Sequence, residues 1–326
     1  MEKRTRACHG IAAALFAVFL TTAPLQARAD GEGEIETSTK LEFQLTSRPE
    51  ARFSIHQYFT FPFLQGQSPL TEDNNITLHL SAALTPVTLF GRGEVDWTPA
   101  AFFVLSVGGE IGSGWGIPIA HGTGINRPVG EVTFPGHVRD TEVDGEAFDG
   151  AICSAWGAGT IQFDLAALIP GDWNHFVFQT RQEMRYSAYT RAGKTDSWIL
   201  ENDHGENRNG WKYMATYILG YRIPQSPILS MLAIAAELDK SLYHLPGGEF
   251  WGDGLGYWFF STLVILTISP RLEVTLALQM RSHRNNGHTN FDNNYGYYQD
   301  MELIHEYGER RFLFYRAAAI FNYKLR

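Results

Sequence analysis

The chain has 326 residues, and 35 Asp and Glu outnumber 26 Lys and Arg for a formal net charge of −9, which argues against nucleic acid as the main partner. Charged residues make up 19%, aromatics 13%, and there are 32 glycines, a balance that suits many short strands and turns. Two ordinary β domains fit those totals equally well, so patterning along the chain has to decide.

The N-terminus carries Lys3, Arg4 and Arg6, then the apolar run Ile11 to Leu20, then Ala27-Arg28-Ala29. This is the order of a cleavable signal peptide, with the small-x-small pattern a signal peptidase needs. The run is too short for a spanning helix, which needs roughly 20 apolar residues, and Pro24 blocks its extension. Cys8 precedes the run instead of ending it, so it is not placed for lipidation. Cleavage after Ala29 leaves residues 30–326 with a net charge of −12 and Cys153 as the one cysteine, so no intramolecular disulfide is expected there.

Beyond residue 30 the longest apolar stretch, Leu255 to Ser269, lies between Asp253 and Pro270-Arg271 and reads as a strand with its turn. Alternation carries the stronger signal. The pattern predicts strands near 34–46, 51–63, 75–84, 87–97, 101–115, 151–168, 174–191, 210–223, 228–241, 256–268, 271–283 and 311–325. Along Arg271 to His283, Leu272, Val274, Leu276, Leu278 and Met280 alternate with Arg271, Glu273, Thr275, Gln279, Arg281 and His283. Trp211, Tyr213, Tyr217, Leu219, Tyr221 and Ile223 alternate with Lys212, Thr216 and Arg222, which reads as an aromatic girdle around an apolar band. In the last segment, Leu313, Tyr315, Ala317, Ala319, Phe321, Tyr323 and Leu325 form the expected outward face, against Arg316, Asn322 and Lys324.

Short turn signals recur at Thr98-Pro99, at Ile169-Pro170-Gly171-Asp172, across Ile223 to Pro227 and at Ser269-Pro270-Arg271. Between them lie long polar stretches near 116–150, 192–209, 242–255 and 284–308. Short turns at one end and long loops at the other distinguish a transmembrane barrel from a soluble sandwich. The fold expected is all-β: one domain, residues 30–326, forming a transmembrane antiparallel up-and-down β-barrel of about 12 strands. Ten is the alternative, because 75–97 reads either as a hairpin or as one long strand.

With its signal peptide, its girdle strands and its terminal strand Tyr315 to Leu325, the chain resembles the broad, porin-like class of bacterial outer-membrane β-barrels. It departs from that class by ending in Arg326 where a terminal phenylalanine is usual. The resemblance implies an outer-membrane location, contact with outer-membrane lipids and the barrel-assembly machinery, and extracellular loops open to host or surface partners.

If the polar sets face inward, the lumen is lined by charges of both signs. The selectivity candidates are Arg181, Glu183, Arg185, Arg271, Glu273, Arg281 and Arg316. Arg181, Glu183 and Arg185 share one face of one strand. They form either a constriction that binds an anionic group or an ion-pair ladder that pins register. Ser282-His283-Arg284-Asn285-Asn286-Gly287 resembles the His-x-Ser-Asn signature of outer-membrane phospholipases and lipid A deacylases, but Asn285 stands where the nucleophile belongs and no amide attacks an ester. No catalytic residue, metal site or cofactor motif is assigned, and the loop acids, Glu201 among them, are expected to stand in solvent. Three functions remain: a channel for small polar solutes, a closed structural or adhesive barrel acting through its loops, and a lipid-modifying hydrolase.

Overall fold

Successive side chains of an extended chain point to opposite faces, so the alternating segments settle as strands with one apolar and one polar surface. The computed structural model describes residues 35–48, 50–115, 150–167, 175–193, 207–243, 256–283 and 311–325, together with 132–133, 137–138, 147–148, 169, 171, 198, 200 and 201. The expected signal peptide and most of the four long connections lie outside the described residues, including most of the acidic stretch 131–149 and the tyrosines Tyr295, Tyr297 and Tyr298.

The strands in chain order are β1 (Glu36–Thr46), β2 (Ala51–Pro62), β3 (Asn75–Leu84), β4 (Thr88–Ala100), β5 (Phe103–Gly114), a small hairpin β6 (Val132–Thr133) and β7 (His137–Val138), β8 (Ile152–Asp164), β9 (Phe176–Tyr189), β10 (Gly210–Arg222), β11 (Leu229–Ser241), β12 (Tyr257–Ser269), β13 (Leu272–His283) and β14 (Arg311–Lys324). All but the small hairpin join one closed barrel of twelve antiparallel strands, each paired with its neighbours in sequence, and β1 closes on β14 with Lys40 opposite Lys324 and Thr46 opposite Ala318. Twelve strands are therefore right and ten is not. The stretch 75–97 is a hairpin whose tip, residues 85–87, is held by Thr85 N–H donating to the Thr88 carbonyl at 2.9 Å. The even count returns β14 to the rim where β1 begins, and puts the connections 115–151, 190–209, 242–256 and 284–310 together at the other rim.

The two faces separate as the alternation requires. Val107, Leu278 and Phe314 on the outside are 68%, 60% and 62% exposed, whereas Ser54, Ser106 and Glu183 on the inside are almost wholly covered. Aromatic pairs mark both ends of the outer band: Tyr186 and Trp211 meet at 5.4 Å near one rim, Phe176 and Tyr221 at 5.0 Å near the other.

Two details differ from expectation. Thr98-Pro99 is no turn: β4 runs on through it to Ala100, with the register shifting between Trp97 and Ala100, and the chain reverses at Ala101-Phe102. A proline has no N–H to give the ladder, and an irregularity of this kind is where a strand tolerates one. The terminal strand is also not continuous in its alternation, because the pairing jumps from Gln279 with Arg316 to Met280 with Phe314. Tyr315 is the extra residue of this bulge. Above it Phe312 and Phe314 face outward, and Tyr315 turns into the lumen instead of toward lipid, meeting Phe259 edge to face at 5.7 Å.

Glycines on β5 make room for neighbouring rings. A Cβ at Gly108 would lie 2.4 Å from the Trp156 ring and 2.9 Å from the Gly93 carbonyl oxygen, and one at Gly112 would lie 2.1 Å from the Phe90 ring. Gly108→Ala is therefore expected to cost about 1–3 kcal/mol by overpacking. Gly157→Ala, whose Cβ meets nothing within 4 Å, should be near neutral. Equal unfolding midpoints in denaturant for these two variants would refute the packing assigned to Trp156. Across the wall, Leu276→Arg on the outer face should cost about 2–4 kcal/mol in lipid vesicles, and Thr275→Arg on the inner face clearly less; the reverse order would mean that the faces are misassigned.

Candidate functional site: the charged inner wall

Lumen-facing positions of β4, β5, β8 and β9 fall side by side because the registers match Arg92 with Glu110, Glu94 with Gly108, Gly108 with Trp156 and Trp156 with Arg185. Three arginines and three glutamates interlock there. Glu94 Oε2 accepts from Arg92 at 2.9 Å, from Arg181 at 3.1 Å and from the Trp156 indole N–H at 2.5 Å. Glu183 takes Arg181 at 3.0 Å through one oxygen and Arg185 at 2.8 Å through the other, and Arg185 reaches on to Glu110 at 2.8 Å. A further donor of Arg181 goes to Ser106 at 3.1 Å, and the Ser106 hydroxyl donates to Asp96. Trp156 lies between two guanidiniums, Arg92 at 4.5 Å and Arg185 at 4.4 Å from its ring centre.

Arg181, Glu183 and Arg185 are thus brought together as expected, in the geometry of a cross-strand ladder. Glu94 and Glu183 lie underneath, their side chains 7% and 8% exposed, and Arg92 and Arg181 lie above at 32% and 25%, while Arg185 and Glu110 are covered to about the same extent. The sequence reading missed Trp156 and Glu110. Their role depends on register, and the one available signal was the run of inward glycines on β5 that leaves space for a ring.

Arg281 and Arg316 belong to a second cluster. The guanidiniums of Arg281 and Arg48 each lie 4.7 Å from the Tyr315 ring centre and that of Arg316 lies 5.2 Å away. Arg316 donates to Gln279 at 2.9 Å and to Glu50 at 3.0 Å, and Gln279 donates on to Ser261 at 3.1 Å. Arg281 itself is 1% exposed. Glu273 faces inward on β13, whereas Arg271 sits in the β12–β13 turn and is exposed at the rim, apart from both clusters.

At the rim of the long connections the chain after β9 returns to the inner wall. Trp198, 2% exposed, packs with Ile152 and Tyr189, and Phe90, Ala192 and Leu200 lie against them. Trp198 bridges to Asn207, and its indole N–H donates to Asn209 at 3.1 Å. Glu201 accepts a hydrogen bond from the fully covered Thr88 hydroxyl, so this loop acid does not stand in solvent as expected. An isolated Trp in a polar stretch gave no periodic signal. Cys153 is half-buried on the outward face of β8. Ser282 is covered and accepts the Trp258 N–H at 2.8 Å on the face opposite to His283, while residues 284–287 lie outside the described residues.

The chain is similar to solved structures over most of its length. It matches a KdgM porin at 7% identity and a TM-score of 0.37, covering 89% of this chain and 99% of that one. It matches the β domain of the Bordetella autotransporter Brka at 9% identity and 0.39, covering 88% and 97%. OmpT of Vibrio cholerae aligns at 6% identity and 0.34, covering 91% and 99%. Likenesses this distant carry no argument about activity. No family model matches the chain, and no curated protein matches it. Twelve antiparallel strands closed on themselves, apolar without and charged within, give this chain the architecture of a bacterial outer-membrane β-barrel.

Proposed function

We propose that the protein is an outer-membrane channel for small polar solutes. The observation that carries this reading is water contact along the inner wall: Lys40 and Arg52, both on the inner face and toward its two ends, are exposed, and the arginines of the ladder keep part of their surface open. A barrel filled by its own side chains would cover those groups. On this reading the ladder of Arg181, Glu183 and Arg185 narrows one side of the path, and the outward apolar band meets outer-membrane lipid. Barrel-assembly factors would deliver the chain there, and partners, where they bind, would meet the long-loop rim.

The packing of Trp198 and Glu201 on the inner wall favours a second reading, a lumen closed at the long-loop rim by its own connection and a structural or adhesive role. Conductance in a planar bilayer separates the two. The channel reading expects discrete, salt-dependent steps from the folded barrel, and larger steps from Trp198→Ala, which releases the connection. A folded barrel that stays silent, with Trp198→Ala silent too, would sink the channel. Silence relieved by Trp198→Ala would establish the closed lumen.

A further inference from the structure

The two charged clusters have their guanidiniums committed, but the wall of β1 and β2 is built differently. Lys40 stands directly opposite His56, and Arg52, Ser54 and His56 share the inner face of β2. Across β3, His56 faces Ser81, and Ser81 faces Arg92. The register thus places Lys40 opposite His56 on β1, Arg52 four residues before it on β2 and Arg92 two strands away on β4. Lys40 and Arg52 are exposed, and among the described residues neither has a carboxylate within ion-pair distance; Lys40 lies 5.1 Å over the Tyr58 ring.

The floor beneath them carries polar atoms without hydrogen-bond partners: Ser54 Oγ, on a residue 1% exposed, His56 Nε2 and Arg92 Nε. His56 Nδ1 lies 3.0 Å from His79 Nε2. When His79 donates across that contact, His56 carries its hydrogen on Nε2, so all three floor atoms are donors. Two acids share this face: Glu42, opposite Ser54 and between Lys40 and Gln44 on β1, and Glu94, which holds Arg92 at 2.9 Å. Donors beneath and cations above are the chemistry that recognises an oxyanion.

We propose that the inner wall of β1 and β2 holds an oxyanion-binding subsite, framed by Lys40 and Arg52 over Ser54 and His56 and bordered by Arg92 at the edge of the Arg181–Arg185 ladder. Its ligands are small solutes bearing a carboxylate or phosphate group. The subsite rests on the reading of the lumen as open to water.

Inorganic phosphate is the probe, with its binding followed by phosphorus NMR line broadening on the protein purified in maltoside detergent, which contains no phosphorus. Saturable broadening, reversed by acetate, is expected. The double variant Lys40→Gln, Arg52→Gln should weaken it about tenfold, and Arg222→Gln, on the opposite wall of the barrel, should leave it unchanged. Glu42→Gln should tighten binding, a gain that misfolding cannot imitate. Absence of saturable binding, or equal weakening by Arg222→Gln, overturns the subsite. A conducting barrel that binds no phosphate keeps the channel and loses the subsite; a silent barrel that binds it does the reverse.

Discussion

In hydrocarbon no backbone N–H or C=O can turn to water, so a sheet that crosses a membrane must have no open edge there, and here that condition is met at the seam between β1 and β14. The seam runs from Leu325 donating to Thr39 at 2.9 Å, through the pairing of Lys40 to Thr46 with Lys324 to Ala318, to Ser47 donating to Ala317 at 2.8 Å. The first and last strands of the chain supply it, which makes the fold non-local: the barrel closes only when its two ends meet. The same pressure acts on outward polar side chains. Thr39 donates to Gln57 at 2.6 Å, Gln182 donates to Thr180 at 2.7 Å, and the Tyr213 hydroxyl donates to Gln182, so these groups pair with one another where lipid offers no partner.

Closure divides every strand into a lipid side and a water side, and that division was legible in the sequence wherever alternation ran unbroken. The faces of β10 and β13 follow the reading residue by residue. Alternation failed where an extra residue reset it. Nothing in Leu313 to Arg316 announces a bulge, because Tyr315 is as acceptable in an outer girdle as in a lumen, and only its pairing against Gln279 and Met280 decides. Pro99 misled in the opposite sense, since a residue that usually ends a strand also fits an irregular point within one.

The chemistry of the inner wall was less legible than its location. Sequence spacing places Arg181, Glu183 and Arg185 on one face, but which carboxylates they meet depends on strands far away in sequence, and Glu94 is 87 residues from Arg181. Register settles what spacing leaves open. The arginines with the most conspicuous spacing are the ones most fully tied to glutamates, whereas Lys40 and Arg52, which belong to no charge motif, hold exposed charge. A motif of alternating charges records a tendency to pair as much as a capacity to bind, and in a lumen the unpaired charges are the ones a solute meets.

The arrangement of burial sharpens that point. A solute in the lumen feels the groups nearest to it in water more than those behind them, because exposed charge is closer and covered charge is partly neutralised by its partner. In the ladder Glu94 and Glu183 lie beneath Arg92 and Arg181, so that part of the wall presents guanidinium, whereas Glu110 and Arg185 are about equally covered. Trp156 ties this corner together: its indole N–H binds Glu94, its ring carries Arg92 and Arg185, and Gly108 leaves the space in which the ring lies. The net charge of the chain therefore does not give the charge that its inner wall presents at a given place.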